Sequence, residues 1–368
     1  MKNVALLRAN PKDTAYIKVL TSLIKVYHID CYMWDRLGDF SPVIENKNIE
    51  YKKCGISGGF YRTSTILKLF LFEAWLFFKL LFVKVDCIHA IDLDTGLIGL
   101  FIAKLRGKKF VYQCLDPYYA VVPDRWPEFL VRFVKRLENM VISNAAIFII
   151  TDLLRMPQHE GSKPKHLLEI ANVPYLDIHE ISETKKKDFV TGYIGALFEG
   201  RNLITIIEVA GELEDEGVNL IIGGFGPLEG KVKELAGKYK NVRYISWIPY
   251  SELLNIESSF DVFMHITDTK NEGQKWTSPN KLFESMVFGK PIIVGEGTLA
   301  GQRVASIGNG VVVPYGSKEE LKKAILRFKN NPNFIKEMGE KGKSEFEKNW
   351  RPEIMEKRLS EAYRKVIG

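Results

Sequence analysis

The 368-residue sequence has only four cysteines, Cys31, Cys54, Cys87 and Cys114, far apart and without a CxxC pair. That scarcity excludes a disulfide scaffold. Cys87 and Cys114 fall inside apolar strand-like runs, where a reduced, buried thiol is the expectation. The six histidines form no HExxH, and the one Asp-x-Asp, Asp92 with Asp94 just after His89, is too little to define a metal centre. No bound metal and no cofactor are expected. An uninterrupted apolar run of about 20 residues is also missing, which excludes an ordinary membrane-spanning helix. The first residues, MKNVALLRAN, break at Asn10 and Pro11 too soon for a secretory signal, so they read as a buried strand of a cytoplasmic protein. There is no aromatic-interleaved basic cluster and no helix-turn-helix, zinc-finger or RNP pattern, which excludes the common nucleic-acid binders.

What is present is an ordinary globular composition, 46% apolar and 26% charged, in a chain long enough for two cores. Short β-rich runs at 4–10, 28–34, 86–91, 109–115 and 145–151 alternate with segments of helical periodicity. A second series at 189–197, 218–224, 242–248, 261–267, 290–295 and 310–315 repeats the pattern, after a polar, lysine-rich stretch at 179–188. Strands alternating with helices imply two parallel sheets, each wrapped on both faces. The net charge is +7, and residues 1–172 carry all of it, with 24 Lys plus Arg against 17 Asp plus Glu. Such one-sided charge points that half toward something anionic.

The most apolar stretch, STILKLFLFEAWLFFKLLFVKV at 64–85, spreads Leu67, Leu69, Phe70, Phe72, Trp75, Leu76, Phe77 and Phe78 over most of a helix circumference. A core helix covered on both sides fits that pattern. So does a helix lying in a membrane interface, its aromatics at the acyl boundary and Lys68, Lys79 and Lys84 reaching lipid phosphates. The local charge excess favours the anionic membrane surface.

The best candidate site lies at SPNKLFESMVFGKPIIVG, 278–295. Ser278 as cap, Pro279 in the first turn and Gly289 after the last frame a helix. Lys281 and Glu284, three residues apart, share a face near its positive end. Phosphate suits the helix end and Lys281, while the Glu284 carboxylate suits ribose hydroxyls. A solvated Lys–Glu pair is the plain alternative. IGALFEGRN (194–202) and IIGGFGP (221–227) place Gly195 and Gly224 in turns after two other strands, and ligands of open parallel sheets bind at such carboxyl ends. Arg201 offers a planar donor fork for a diphosphate.

The order YIGALFEGRNL, LIIGGFGPLEGKV, VRYISWIPYSELLNIESSFDVF and SPNKLFESMVFGKPIIV resembles the donor half of family 4 glycosyltransferases. DCIHAIDLDTG (86–96), KKFVYQCLDPYYA (108–120) and HLLEIANVP (166–174) are similar to the acceptor half of the same enzymes. The resemblance implies the α/β GT-B fold, two Rossmann-like domains facing across a cleft. It divides the chain into an acceptor domain, 1–172, completed by a crossover helix at about 350–368 near Trp350, and a nucleotide-sugar domain, 173–349. It implies a retaining transferase of polysaccharide or other glycan biosynthesis. Two basic residues and no acidic cluster at the diphosphate position make metal independence the expectation. The helix at 64–85, with the charge excess of residues 1–172, makes a peripheral place on the inner face of the cell membrane the expectation too. The partners are then a nucleotide diphosphate sugar and a saccharide or lipid-linked acceptor.

By motif, Arg201 matches the basic residue on the diphosphate, with Lys281 assisting, and Glu284 matches the second glutamate of the E-x7-E pattern, on the ribose. Trp247 and Ile248 flank the base. Trp276 stands where the first glutamate belongs, so Glu272, Trp276 and Thr277 become the donor-sugar candidates. Leu115 replaces a histidine frequent in the acceptor half, which leaves His89, Asp92 and Asp116 for the acceptor; a packed His89 and a helix-capping Asp94 are the structural alternatives. Trp276 and Leu115 also admit a catalytically inactive partner protein, and the fold admits a nucleotide-sugar 2-epimerase.

Overall fold

The computed structural model describes residues 1–10, 14–36, 38–42, 44–57, 64–121, 126–174 and 188–368. The lysine-rich stretch expected to join the two halves lies, up to residue 187, outside the described residues. The chain divides into two compact units, Met1–Asn172 with Glu353–Gly368, and Val173–Pro352.

Unit 1 is built on a parallel sheet of β1 (Asn3–Arg8), β2 (His28–Trp34), β3 (Ile49–Cys54), β4 (Cys87–Ile91), β5 (Lys109–Cys114), β6 (Ile147–Ile150) and β7 (Leu167–Glu169). The spatial order is β3-β2-β1-β4-β5-β6-β7. β4 and β6 are buried throughout, as strands covered on both faces must be. The helices are α1 (Thr14–Leu23), α2 (Ser64–Phe82), α3 (Leu93–Leu105), α4 (Tyr118–Val121) and α5 (Glu128–Asn144). Side chains of α2, α3 and α5 share one core cluster with Leu7, Trp34, Ala90 and Tyr112, so these three helices cover the same sheet face. On the other face the C-terminal helix, Pro352–Ile367, buries Met355, Leu359 and Tyr363. The expected crossing at Trp350 therefore begins two residues later: Trp350 itself packs in unit 2, its ring 5.4 Å from Phe283.

In α2 the sequence offered a choice between a core helix and an interfacial one, and the two faces divide the answer. Phe72, Leu76 and Leu80, one turn apart, are fully buried against the sheet. Phe70, Phe78 and Phe82 are 63%, 66% and 82% exposed, with Leu67 and Leu71 beside them. Trp75 belongs to the inner side, stacked on Phe72 and edge-on to Tyr32, each at 6.1 Å.

Unit 2 repeats the plan with β8 (Phe189–Ala196), β9 (Val218–Phe225), β10 (Val242–Ile245), β11 (Val262–His265), β12 (Ile292–Gly295) and β13 (Gly310–Val313). Its order is β10-β9-β8-β11-β12-β13, parallel throughout. The helices are α6 (Leu203–Gly211), α7 (Glu229–Ala236), α8 (Tyr250–Glu257), α9 (Glu272–Lys275), α10 (Asn280–Val287), α11 (Leu299–Ile307), α12 (Lys318–Lys329) and α13 (Pro332–Asn349). Every strand expected in this half forms.

Candidate functional site

In unit 2 the two glycine turns meet at the carboxyl ends of β8 and β9, where Gly195 pairs with Gly224. A Cβ on Gly224, whose φ is +128°, would lie 1.8 Å from the Gly195 carbonyl oxygen. The glycine is thus required by the close approach of two backbones. Past β8 the chain turns through Gly200 and Asn202, both left-handed, and this delivers Arg201 to the start of α6. Arg201 donates through Nη1 to the Tyr193 hydroxyl at 3.3 Å, while its buried Nε has no partner.

Three more residues nearby share that condition. Asn202 Nδ2, Ser278 Oγ and both ring nitrogens of His265 are buried without a hydrogen-bond partner. His265 ends β11, the strand beside β8, and Ser278 precedes α10. Burial, with the positive charges of Arg201 and Lys281, holds His265 well below its ordinary pKa, so its imidazole is neutral. Sequence reasoning missed His265; a histidine closing a strand next to a glycine turn was the available signal. Ser278 was expected as a cap, but Pro279 holds that position and no side chain caps α10.

Lys281 and Glu284 do share a face, yet the structure gives them a different task from the one their motif suggested. Lys281 Nζ lies 2.7 Å from Glu284 and 2.8 Å from Glu257 at the end of α8. The second oxygen of Glu284 accepts from the Tyr250 hydroxyl at 2.9 Å. Both glutamates are fully buried. Burial and the neighbouring Glu284 charge raise Glu257 well above the carboxylate range. Although burial alone works against its charge, Glu257 and Glu284 hold Lys281 above its ordinary value. The resulting buried set, one amine between two carboxyl groups, clamps α10 to α8. In this structure the ammonium is therefore spent on carboxylates, and Glu284 is enclosed where an exposed ribose contact was expected.

The three donor-sugar candidates sit in one small loop. Trp276 Nε1 donates to Glu272 at 2.7 Å, and Thr277 Oγ1 donates to the Gly273 carbonyl. Gln274 Nε2 donates to the Glu199 carbonyl at 2.6 Å, which lays this loop on the turn that carries Arg201. Trp247, 64% exposed, follows β10 with the half-buried Ile248 beside it. The other exposed large hydrophobics described in unit 2 are Phe198, Phe225 and Tyr315, at or just past the ends of β8, β9 and β13. All four thus line the carboxyl edge of the sheet, where ligands of open α/β sheets bind.

In unit 1 the expected acceptor residues separate. His89 is fully buried, its Nδ1 paired with the Tyr363 hydroxyl at 2.6 Å, so it joins the C-terminal helix to the sheet and meets no acceptor. Burial lowers it to about 3. Asp92 has a left-handed φ of 62° and ties three strand ends together, pairing with Arg8 and accepting from Leu115 N at 2.8 Å. Asp116 remains exposed, held at 3.1 Å by Arg155. Asp94, expected as a cap, makes no cap bond. It lies in the first turn of α3, 4.0 Å from Arg36, with Oδ1 buried and partnerless, and burial raises it to about 7. A hydroxyl donor from a bound molecule would satisfy it.

Two parallel-sheet Rossmann-like units define the GT-B fold. Residues 176–345 match the family model for glycosyl transferases group 1. The chain is 26% identical over 184 residues to an uncharacterised glycosyltransferase of Methanocaldococcus jannaschii, covering 48% of this chain and 46% of the relative. It is also 26% identical over 143 residues to a GDP-mannose-dependent monoacylated α-(1-6)-phosphatidylinositol monomannoside mannosyltransferase of Corynebacterium glutamicum, covering 38% and 37%. The matched stretch thus spans less than half the length of each curated relative. Sucrose-phosphate synthase of Thermosynechococcus elongatus superposes with a TM-score of 0.76 at 16% identity, over 100% of this chain and 99% of that one. HepE of Anabaena in complex with UDP-glucose gives 0.72 at 13% over the full length of both.

Proposed function

We propose that this chain is a retaining glycosyltransferase of glycan assembly, moving a sugar from a nucleotide diphosphate donor to a saccharide or lipid-linked acceptor at an anionic membrane surface. The observation that carries the donor site is the set of partnerless buried polar atoms on Arg201, Asn202, His265 and Ser278. Each unmade hydrogen bond there costs about 1–3 kcal/mol, which a bound diphosphate and sugar would recover. Arg201 neutralises the charge that grows on the leaving diphosphate, aided by the amino end of α10. The bond from the anomeric carbon to the diphosphate oxygen breaks as the acceptor oxygen bonds that carbon on the same face. The acceptor proton passes to a phosphate oxygen, so no protein nucleophile is needed. Trp247 and Ile248 flank the base, and the Glu272–Trp276–Thr277 loop meets the sugar. Lys281 and Glu284 position α10 behind the site. On the acceptor side, Asp116 and Asp94 are the groups left to receive hydroxyls.

Arg201→Ala should weaken binding of UDP or GDP by about 1.5–3 kcal/mol, roughly ten- to a hundredfold, with the melting temperature unchanged. Isothermal calorimetry with both nucleotides measures it, and an affinity equal to that of the parent removes this donor site. The charge partners proposed for the diphosphate are all protein groups, so turnover should persist when magnesium and manganese are omitted. Strict dependence on either ion would require a different diphosphate site.

The membrane reading rests on three helices of unit 1 that cover one sheet face. Among the described residues, α2, α3 and α5 carry ten of the exposed large hydrophobics, including Phe101 on α3 and Phe129, Phe133 and Met140 on α5. The exposed Lys79, Lys104, Arg132 and Arg136 stand on the same three helices. Aromatics edged by cations suit an anionic interface. No described helix is long and apolar enough to cross a membrane. The lipid-linked acceptor named for the Corynebacterium relative agrees with this placement.

A further inference from the structure

Beneath the acceptor end of unit 1, three side chains remote in sequence converge in the core. Cys114 closes β5, Glu138 projects inward from α5, and His159 ends the short 3-10 helix Leu153–His159. All three are buried, and one ligand atom from each lies within 4.8 Å of the other two. Cys114 Sγ is 3.6 Å from Glu138 Oε1. His159 stands edge-on to Phe148 at 5.2 Å, and neither of its ring nitrogens has a partner. We propose that Cys114, Glu138 and His159 bind one transition-metal ion of the Zn²⁺ class, fastening β5 and α5 to the 3-10 helix.

The donor set argues for that ion. One thiolate, one carboxylate and one neutral imidazole are the ligands zinc prefers, and the two negative charges balance a divalent cation, so the burial costs no net charge. Bonds of about 2.0–2.3 Å from a central ion place tetrahedral ligands roughly 3.3–3.8 Å apart. The Cys114–Glu138 spacing of 3.6 Å already falls in that range, and His159, within 4.8 Å of both, needs a shift of about 1 Å or less. The carboxylate is already aimed: Tyr112 donates its hydroxyl to Oε1 at 2.9 Å and Tyr118 its backbone N–H to Oε2 at 3.2 Å, the outer hydrogen bonds that fix a metal-binding carboxylate. On binding, the Cys114 thiol gives its proton to solvent and its sulfur lone pair to the ion, with no change of oxidation state. Hard oxygen-seeking ions such as Mg²⁺ fit a sulfur and nitrogen set poorly. Local spacing could not reveal this site, because each ligand comes from a different element.

The ion is expected to enter as the core forms, so the full chain is expressed in zinc-supplemented and in cobalt-supplemented medium and its metal content measured after gel filtration. One equivalent of zinc is expected. The cobalt form should show tetrahedral visible bands and a thiolate charge-transfer band in the near ultraviolet. Cys114→Ala should abolish the charge-transfer band, Glu138→Gln and His159→Phe should lower retention about tenfold or more, and Cys87→Ala, on another strand, should change nothing. A parent protein without stoichiometric metal from either medium, or a band that survives Cys114→Ala, overturns the proposal. Those readings need no enzymatic assay and are independent of the glycosyltransferase reading.

Discussion

Lys281→Met is expected to destabilise unit 2 by about 3–5 kcal/mol, because it strips the cation from two fully buried glutamates. For a unit of this size that corresponds to a fall on the order of 6–20 °C in its melting transition. The cost is that of an uncompensated buried carboxylate rather than of the lost attraction. Adding Glu257→Gln should therefore recover part of the loss, since one of the two orphaned acids disappears. Tyr250→Phe removes one donor from Glu284 and should cost less, about 1–3 kcal/mol. Differential scanning calorimetry of the full chain resolves these steps. A Lys281→Met transition within a degree of the parent would show that the cluster is solvated and that Lys281 is free for a ligand.

Replacing Phe70, Phe78 and Phe82 together by serine should weaken binding to anionic vesicles by about 2–4 kcal/mol, roughly thirty- to a thousandfold. These rings are mostly exposed, so the melting temperature should hold while binding falls. Phe72→Ala supplies the contrast: that ring is fully buried, and its loss should cost about 3–5 kcal/mol of stability. Cosedimentation with phosphatidylglycerol–phosphatidylcholine vesicles at low and high salt measures the first effect. A parent protein that stays in the supernatant at low salt, or a triple variant that binds as the parent does, would end the membrane reading.

The sequence announced the central strands because strands buried on both faces are written as apolar runs, as in CIHAI and IFII. It did not announce β3 and β7, which close the two edges of the first sheet. β3 reads IEYKKC, with the charges an edge strand carries against unwanted pairing, and β7 is three residues long. At the proposed donor site the turn bearing Arg201 was legible from its glycine and its place after a strand. The partners of Lys281 were not. Glu257 lies on another helix, and only the packing of α8 on α10 brings it within reach. The same reason separates Asp116, left exposed, from His89, which the C-terminal helix covers with Tyr363.

That last contact bears on how the chain is made. Unit 1 holds residues from both sides of unit 2, and its core includes Met355, Leu359 and Tyr363, contributed after residues 173–352. During synthesis at about 5–20 residues per second, the first sheet waits on the order of ten to forty seconds for that helix. Through this interval His89 lacks its tyrosine partner, and the sheet surface under the missing helix is open to water and to chaperones. Unit 2, continuous in sequence, has no such delay and can complete its folding first.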